Sequence, residues 1–527
     1  MQLKRAYLIM LTTTLSFLFS KGQVVSYTDS TKRDSTKFIK ILAADTFRRI
    51  KQDSTGDLNL LIGHVQMKQE NTLFYCDSAV QNILNNTIEA FGNIHINDGD
   101  TVHTYSQYLK YLGNTKIADL NGKVKLTDGK ATLTTESLQY DVNAKIGTYL
   151  NNGKLVNKQT TLTSKEGYYY ADTKEVYFQK NVKVVDPDFT MQTDTLLYNI
   201  NSEIASFISP TLIYDAKSSI RTRSGFYDMK KELGSFLKRP VIKDSSQTII
   251  ADQIDFDRKT GEGLAKGNML YQDTSNGISI IAGQARFNKE KKIVKAYQFP
   301  LMIINQDDDT LYVSSDTLYS GLLKKDSSNT NQKDSLRFFS AYQHVKIFSD
   351  SLQGKSDSLY YSAADSIFRF FKDPALWAKE SQITGDTILL RTKNKKADSV
   401  LILENAFSVN MTKEGMFNQL RGNNMTGSFV EGEIDFLRAK GNSESLYYLQ
   451  DDEDSSYMGL NYAMADVIGM KFKNKELKRI SWINAVKGVT YPMDKIPADK
   501  KTLKNFKWLE AEKPKSLTEL ISSPFKK

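Results

Sequence analysis

One spacing constrains this chain more than any other feature: two short patterns recur in step, about every 30 residues, from Gly63 to about Asp466. The first reads A-x-G-N-V-x-V. It gives Gly92, Asn93, Ile94 and Ile96, then Gly122, Val124 and Leu126, then Asn181, Val182 and Val184, then Gly267, Asn268 and Met269. The second reads S-D-x-L-x-Y, at Glu136 to Tyr140, Asp194 to Tyr198, Asp252 to Phe256 and Asp357 to Tyr361, with looser copies at Asp77 and Asp316. A period held by two independent landmarks over several hundred residues predicts one long repeat body. Three or four unrelated domains, which 527 residues could also make, are the poorer reading.

Within each unit apolar and polar residues alternate with period two, the mark of a strand with one buried face. Ser137-Leu138-Gln139-Tyr140 runs into the polar turn Asp141 to Lys145, and Ile146-Gly147-Thr148-Tyr149 returns. Each unit is therefore two strands of an antiparallel meander. Glycine and asparagine in the first pattern supply the backbone freedom of a bend in mid-strand. Proline takes the same slot at Pro210, Pro240, Pro300 and Pro374, so the ladder must already be broken there. Strands bent at their middles and stacked in register build two sheets joined along one side. The expected fold is all-β: an elongated antiparallel trough of about 26 strands, on the order of 120 Å long at ~4.8 Å per strand.

The apolar residues at matched positions are the candidate inner wall: Val65, Ile94, Ile96, Val124, Leu126, Leu138, Val182, Val184, Leu196, Ile254 and Leu359. Two readings stay open on pattern alone. The walls pack dry on one another, or they leave a groove that holds acyl chains.

Residues 1–22 read as a secretory signal peptide, with Lys4 and Arg5 before an apolar run from Ala6 to Phe19. Residues 23–59 form a polar lead-in and a cap, where Phe38 to Ile50 fits a helix or a strand. The clear repeats span 60–300 and more divergent ones 301–480. Residues 481–527 form a proline-containing tail whose Phe506 and Trp508 are expected to dock on the last rung. Removing the leader lowers the formal charge from +10 by three cations to +7, a mild bias toward anionic partners. No later stretch is apolar enough to span a membrane as a helix.

The single cysteine, Cys76, excludes an intrachain disulfide and a thiolate cluster. The four histidines show no metal-ligand spacing, and the sequence holds no P-loop, G-x-S-x-G or dinucleotide fingerprint. We expect no enzyme, no cofactor, no metal and no nucleic-acid partner.

The succession AFGNIHI, ADLNGKVKLTDGKATLTTESLQYD and FQKNVKVVDPDFTMQTDTLLYN resembles the OstA-like proteins, which include the lipopolysaccharide transporter LptA and the N-terminal domain of LptD. The tail VTYPMDKIPADKKTLKNFKWLEAEKPKS resembles the end of long members. The resemblance implies a V-shaped β-jelly-roll, or β-taco, that binds the acyl chains of lipopolysaccharide or a related lipid. It also implies end-to-end strand addition with Lpt-type proteins or with itself, and a place in the periplasm, with outer-membrane association left open. The chain is far longer than LptA and lacks the C-terminal barrel of LptD. The expected function is a lipid-carrying bridge in outer-membrane assembly; the alternative is a structural or adhesive β-solenoid with a closed core and no cargo.

Overall fold

The structure, a computed structural model, describes residues 38–51, 56–305, 309–323, 336–394, 396–430, 433–451, 456–473 and 476–522. The expected signal peptide, most of the expected lead-in and the expected loop 324–334 lie outside the described residues. Forty strand segments form one antiparallel sheet. Twelve pairs of consecutive segments are halves of one strand parted at a bend, such as Ile146–Tyr149 with Gly153–Asn157, so 40 less 12 leaves 28 bent strands. That is close to the expected number, and the all-β antiparallel architecture is the one the period-two alternation predicts.

Each bent strand between the first and the last pairs with its predecessor and successor along both halves. Gly153–Asn157 lies between Ala131–Thr135 and Thr160–Ser164, while Ile146–Tyr149 lies between Gln139–Asp141 and Gly167–Tyr170. The chain is thus a simple meander folded lengthwise into two walls. Hairpin turns alternate between two rims, and the bends form the spine. Phe38 to Ile50 resolves as strand: Lys40–Ala43 and Thr46–Ile50 are the first rung, paired to Leu58–Gln69.

At the spine two consecutive residues take positive φ, as at Gly63 (78°) with His64 (44°), Gly92 (73°) with Asn93 (40°), and Gly267 (75°) with Asn268 (44°). Non-glycine pairs do the same at Lys180-Asn181, Lys238-Arg239 and Gln343-His344. A left-handed non-glycine residue costs roughly 1–2 kcal/mol, so neighbouring bonds must hold the bend. The recurring acidic residue of the second pattern supplies them. The Asp252 amide donates to the Gly267 carbonyl (2.9 Å), and its carboxylate accepts from Asn268 Nδ2 (2.8 Å). Asp77 takes Asn93 in the same way (2.8 Å), and Asp45 and Asp316 take His64 (2.8 Å) and His344 (2.9 Å). Asp45, Asp77, Asp252 and Asp316 are thus clasps on the spine, and prolines 240, 300 and 374 each stand one residue past a positive-φ pair, just before pairing resumes.

Inside, alternate residues of both walls form one continuous apolar core from Ile39 to Met470. Cys76 belongs to it; burial, and secondly the charge of Asp77, push its thiol up to about 12, so it is packed and unreactive. A second, smaller core lies on the outer side of the first wall, where the tail covers Phe407, Val409, Leu446, Tyr448 and Leu460 with Leu503.

Candidate functional site

All eleven predicted wall residues lie inside the trough. Val65, Ile94, Ile96, Val124, Leu126, Val182 and Val184 stand on the first wall, and Leu138, Leu196, Ile254 and Leu359 on the second. The structure gathers them into one cluster and leaves none of them more than 2% exposed. Burying each such side chain contributes ~1.5–3 kcal/mol.

The walls are held together by bonds across the mouth. Tyr111, Tyr140, Tyr169, Tyr198 and Tyr227 stand 29 residues apart, each near the second rim with its ring buried. Tyr111 Oη donates to Gln69 Oε1 of the opposite rim (2.5 Å), and Gln69 Nε2 donates to the Gly113 carbonyl (3.1 Å). Tyr140 Oη donates to Asp98 (3.2 Å), and Asn157 donates to Tyr198 Oη (2.9 Å) and to the Ile200 carbonyl (3.2 Å). Burial pushes these phenols up, that of Tyr198 to about 12 despite the opposing Asn157 bond, so they remain protonated hydroxyls at neutral pH. The hydroxyls of Tyr169 and Tyr227 are buried in the same row, beside Asp128 and Arg258.

Charges span the mouth beside this row. Lys116 meets Glu70 (2.6 Å), Lys174 meets Asp128 (3.2 Å), Lys158 meets Glu203, and Arg258 Nη2 donates to the Asp188 carbonyl (2.7 Å). The innermost pair is Arg337 with Asp273 (2.7 Å), 4% and 1% exposed. Burial alone would raise the Asp273 carboxyl; hydrogen bonds from Ser275 and Asn276 and the charge of Arg337 outweigh it and hold it below the usual carboxylate range.

The row is not kept along the whole trough: four residues beyond the acidic position of the second pattern stand Tyr140 and Tyr198, but then Phe256, Ser320, Tyr361 and, beyond Asp386, Leu390. Tyr361 packs on Phe339 (5.3 Å) and Phe368 (4.4 Å) within its own wall, and Leu390 is apolar. Here a cavity of about 500 Å³ opens between the walls. Leu311, Ile347 and Leu376 line it from the first wall, Phe368, Phe370 and Leu390 from the second, and both rims reach its edge, Asp309 and Leu352 on one side and Phe429 and Ile434 on the other. Its size lies in the range that holds small-molecule and cofactor ligands, about 300–1,000 Å³.

The first wall of this stretch is braced from outside. The tail turns back after Lys487–Pro492 and bonds to Gln419 and then Gln382, both 1% exposed. Gln419 takes the Leu503 amide (2.8 Å), and Gln382 Nε2 donates to the Lys507 carbonyl (2.7 Å) while its Oε1 accepts from the Leu509 amide (2.8 Å) and Trp377 Nε1 (3.1 Å). Leu376 faces the cavity and Trp377, next on the same strand Ala375–Ala378, lies under the tail. Phe506 and Trp508 pack on Phe417 (5.2 and 5.3 Å), several strands back from the last rung where sequence placed them.

The latch and the cavity residues were missed by sequence reasoning, although the 29-residue recurrence of tyrosine was available to it. Among the described residues no group of three or more His, Cys, Asp or Glu side chains is placed to hold a metal ion, and no helix is long and apolar enough to cross a membrane.

The family model described as OstA-like protein matches residues 36–194. No curated protein matches. Among solved structures, the crystal structure of LptH, the LptA homologous periplasmic component of the conserved lipopolysaccharide transport device from Pseudomonas aeruginosa, matches at 9% identity, covering 29% of this chain and 80% of that chain with a TM-score of 0.14. The matched stretch, residues 36–194, carries the two recurring patterns that resemble the OstA-like proteins.

Proposed function

We propose that this protein is a non-enzymatic carrier of lipopolysaccharide or a related acyl lipid, working in the periplasm in outer-membrane assembly. The observation that carries the reading is the apolar cavity between the walls, continuous with an inner face of the same chemistry along the whole trough. An acyl chain gains ~0.8 kcal/mol per buried CH₂, so a carrier must offer equivalent apolar surface at each step or trap its cargo. A repeat of near-identical rungs supplies that equivalence, and Val65, Ile94, Ile96, Val124, Leu126, Leu138, Val182, Val184, Leu196, Ile254 and Leu359 are the track. Motion is driven by a pump outside this chain. The first rung and the last, Glu476–Ile483 with Lys487–Pro492, leave edges where strand addition would join this chain to a further copy or to other Lpt-type proteins.

Photocrosslinking in cells tests the reading, with a probe at Leu390 or Ile347 inside and at the outward Arg369. Lipid adducts at the inner positions alone are expected; equal yield at Arg369, or none at all in folded, exported protein, contradicts it. The second reading, a structural solenoid without cargo, is favoured by one observation: the eleven track residues are packed shut.

A further inference from the structure

The outer faces of the two walls carry charge of opposite sign. On the first wall, between rim and spine, the outward residues of the strands from Leu58–Gln69 to Val241–Asp244 include Lys68, Lys125, Lys154, Lys183, Arg221 and Lys243 and no aspartate or glutamate. All six cations are exposed, and none forms an ion pair with a described residue. On the second wall of the same rungs Lys110 stands between Glu89 and Asp119, and Glu166 and Glu175 follow. A formal charge of +10 that is mild for the whole chain is thus drawn together on one face.

The cations of that face are also in register. Lys125 pairs with Thr134, Thr134 with Lys154, Lys154 with Thr163, and Thr163 with Lys183. Lysine therefore recurs on every second strand with threonine between, a spacing of ~9.6 Å at ~4.8 Å per strand. A groove of about 670 Å³ runs beside this row, bordered from it by Thr134, Lys154 and Thr163 and toward the spine by Lys123 and Lys165, with Glu136 the one acid in its lining.

We propose that the outer face of the first wall binds a linear anionic glycan that carries one carboxylate in every second sugar. The face lies outside the trough, and its ligand is independent of the cargo. Exposed cations without acids among them call for an anionic partner. Two strand spacings are about the length of a disaccharide, so successive carboxylates of such a chain reach Lys125, Lys154 and Lys183 in turn. An extended acidic peptide sets its same-side carboxylates ~6.7 Å apart and falls out of step. Between the charges, Thr134 and Thr163 offer hydroxyls to the sugar hydroxyls. A sheet of this many strands also twists, so a flat lipid surface meets only a few rungs at once, whereas a flexible chain follows the row.

Fluorescence anisotropy of a labelled hyaluronan oligosaccharide, which has one carboxylate per disaccharide, tests this with the full chain at an ionic strength of about 0.15 M. Saturable binding is expected, weakened at least tenfold in the Lys125→Glu, Lys154→Glu, Lys183→Glu variant. The Lys110→Glu, Arg286→Glu, Lys295→Glu variant makes the same change of charge on the outer face of the second wall and should bind as the unsubstituted chain does. All six side chains are exposed, so both variants keep the fold, which circular dichroism checks. Unlabelled hyaluronan should compete better than polyglutamate or phosphatidylglycerol vesicles. Equal loss in the two variants would reduce the binding to bulk charge, and stronger competition by polyglutamate or by vesicles would give the face to an acidic protein or a lipid surface. Either result, or no binding at all, overturns the proposal.

Discussion

Two lengths of one repeat meet the same problem, a folded sheet whose apolar inner face must be kept from water, and answer it differently. From residue 58 to 305 the inner residues of the two walls pack on each other, and polar ties run from rim to rim. Within 309 to 434 a cavity of about 500 Å³ lies between the walls, and stability is drawn from the far side of the first wall, where the tail adds a second core on Phe407, Val409, Leu446 and Leu460. The same rung geometry is therefore compatible with a shut core or an open one. What selects between them is a single side chain per unit and whether something braces the wall from behind.

A carboxylate placed on each inner face separates the two lengths most sharply. Leu196→Asp sets an unpaired charge in a dry core at a position with no exposure, and should cost on the order of 4 kcal/mol or more and destroy cooperative unfolding in urea. Leu390→Asp lines the cavity, which leaves room for the carboxylate, and should cost less while abolishing lipid capture. Equal losses of stability would mean that the cavity is as dry as the core.

Next in size is the buried pair that ends the latched length. Arg337→Met strands Asp273 and should cost about 3–5 kcal/mol, most of it recovered by adding Asp273→Asn. Because the folded Asp273 carboxyl titrates below its unfolded value, its contribution is present above the ordinary carboxylate range and is lost as pH falls through the lowered folded pKa. Acid unfolding of Asp273→Asn should accordingly show a smaller loss of stability with falling pH than the unsubstituted chain.

Gln382→Ala removes the tail's anchor and leaves the Leu509 amide and the Trp377 indole without their acceptor, a loss of about 1–3 kcal/mol. Hydrogen exchange should quicken across 375–409 and stay unchanged across 87–141; a uniform change would show that the brace is not local.

The smallest effect lies on the spine. The hydrogen bond and then the charge of Asp45 raise the pKa of the exposed His64, so this clasp is strongest below the usual imidazole range and weakens as pH rises through the raised value. An NMR titration should find His64 above a free imidazole, and Asp45→Asn should bring it back.

The walls and bends were legible because they are local. A strand shows its buried face by alternation, and a bend shows itself by Gly-Asn or by a following proline within a few residues. The role of the acidic residue was half legible, since its partner is fixed one strand away at the spine. The latch was not, because Tyr140 and Asp98, or Tyr198 and Asn157, face each other only once the sheet is folded lengthwise. Read as a strand, Tyr140 is one more inward aromatic; read as a row with Tyr111 and Tyr198, it is a tie. The cavity has a weaker signal still, since the same position has already lost its tyrosine at Phe256 and Ser320 before Leu390 is reached. The tail's apolar Phe506 and Trp508 were visible, but their seat on Phe417 follows from a reversal of the chain that no local pattern announces.

The central claim is that the open stretch holds an acyl lipid, and native mass spectrometry of the full chain, purified from the cell envelope without detergent exchange, tests it most directly. The account predicts a population heavier by the mass of an acyl lipid, absent in folded Leu390→Asp. A single population at the mass of the bare chain, unaltered when lipopolysaccharide is added, would contradict it.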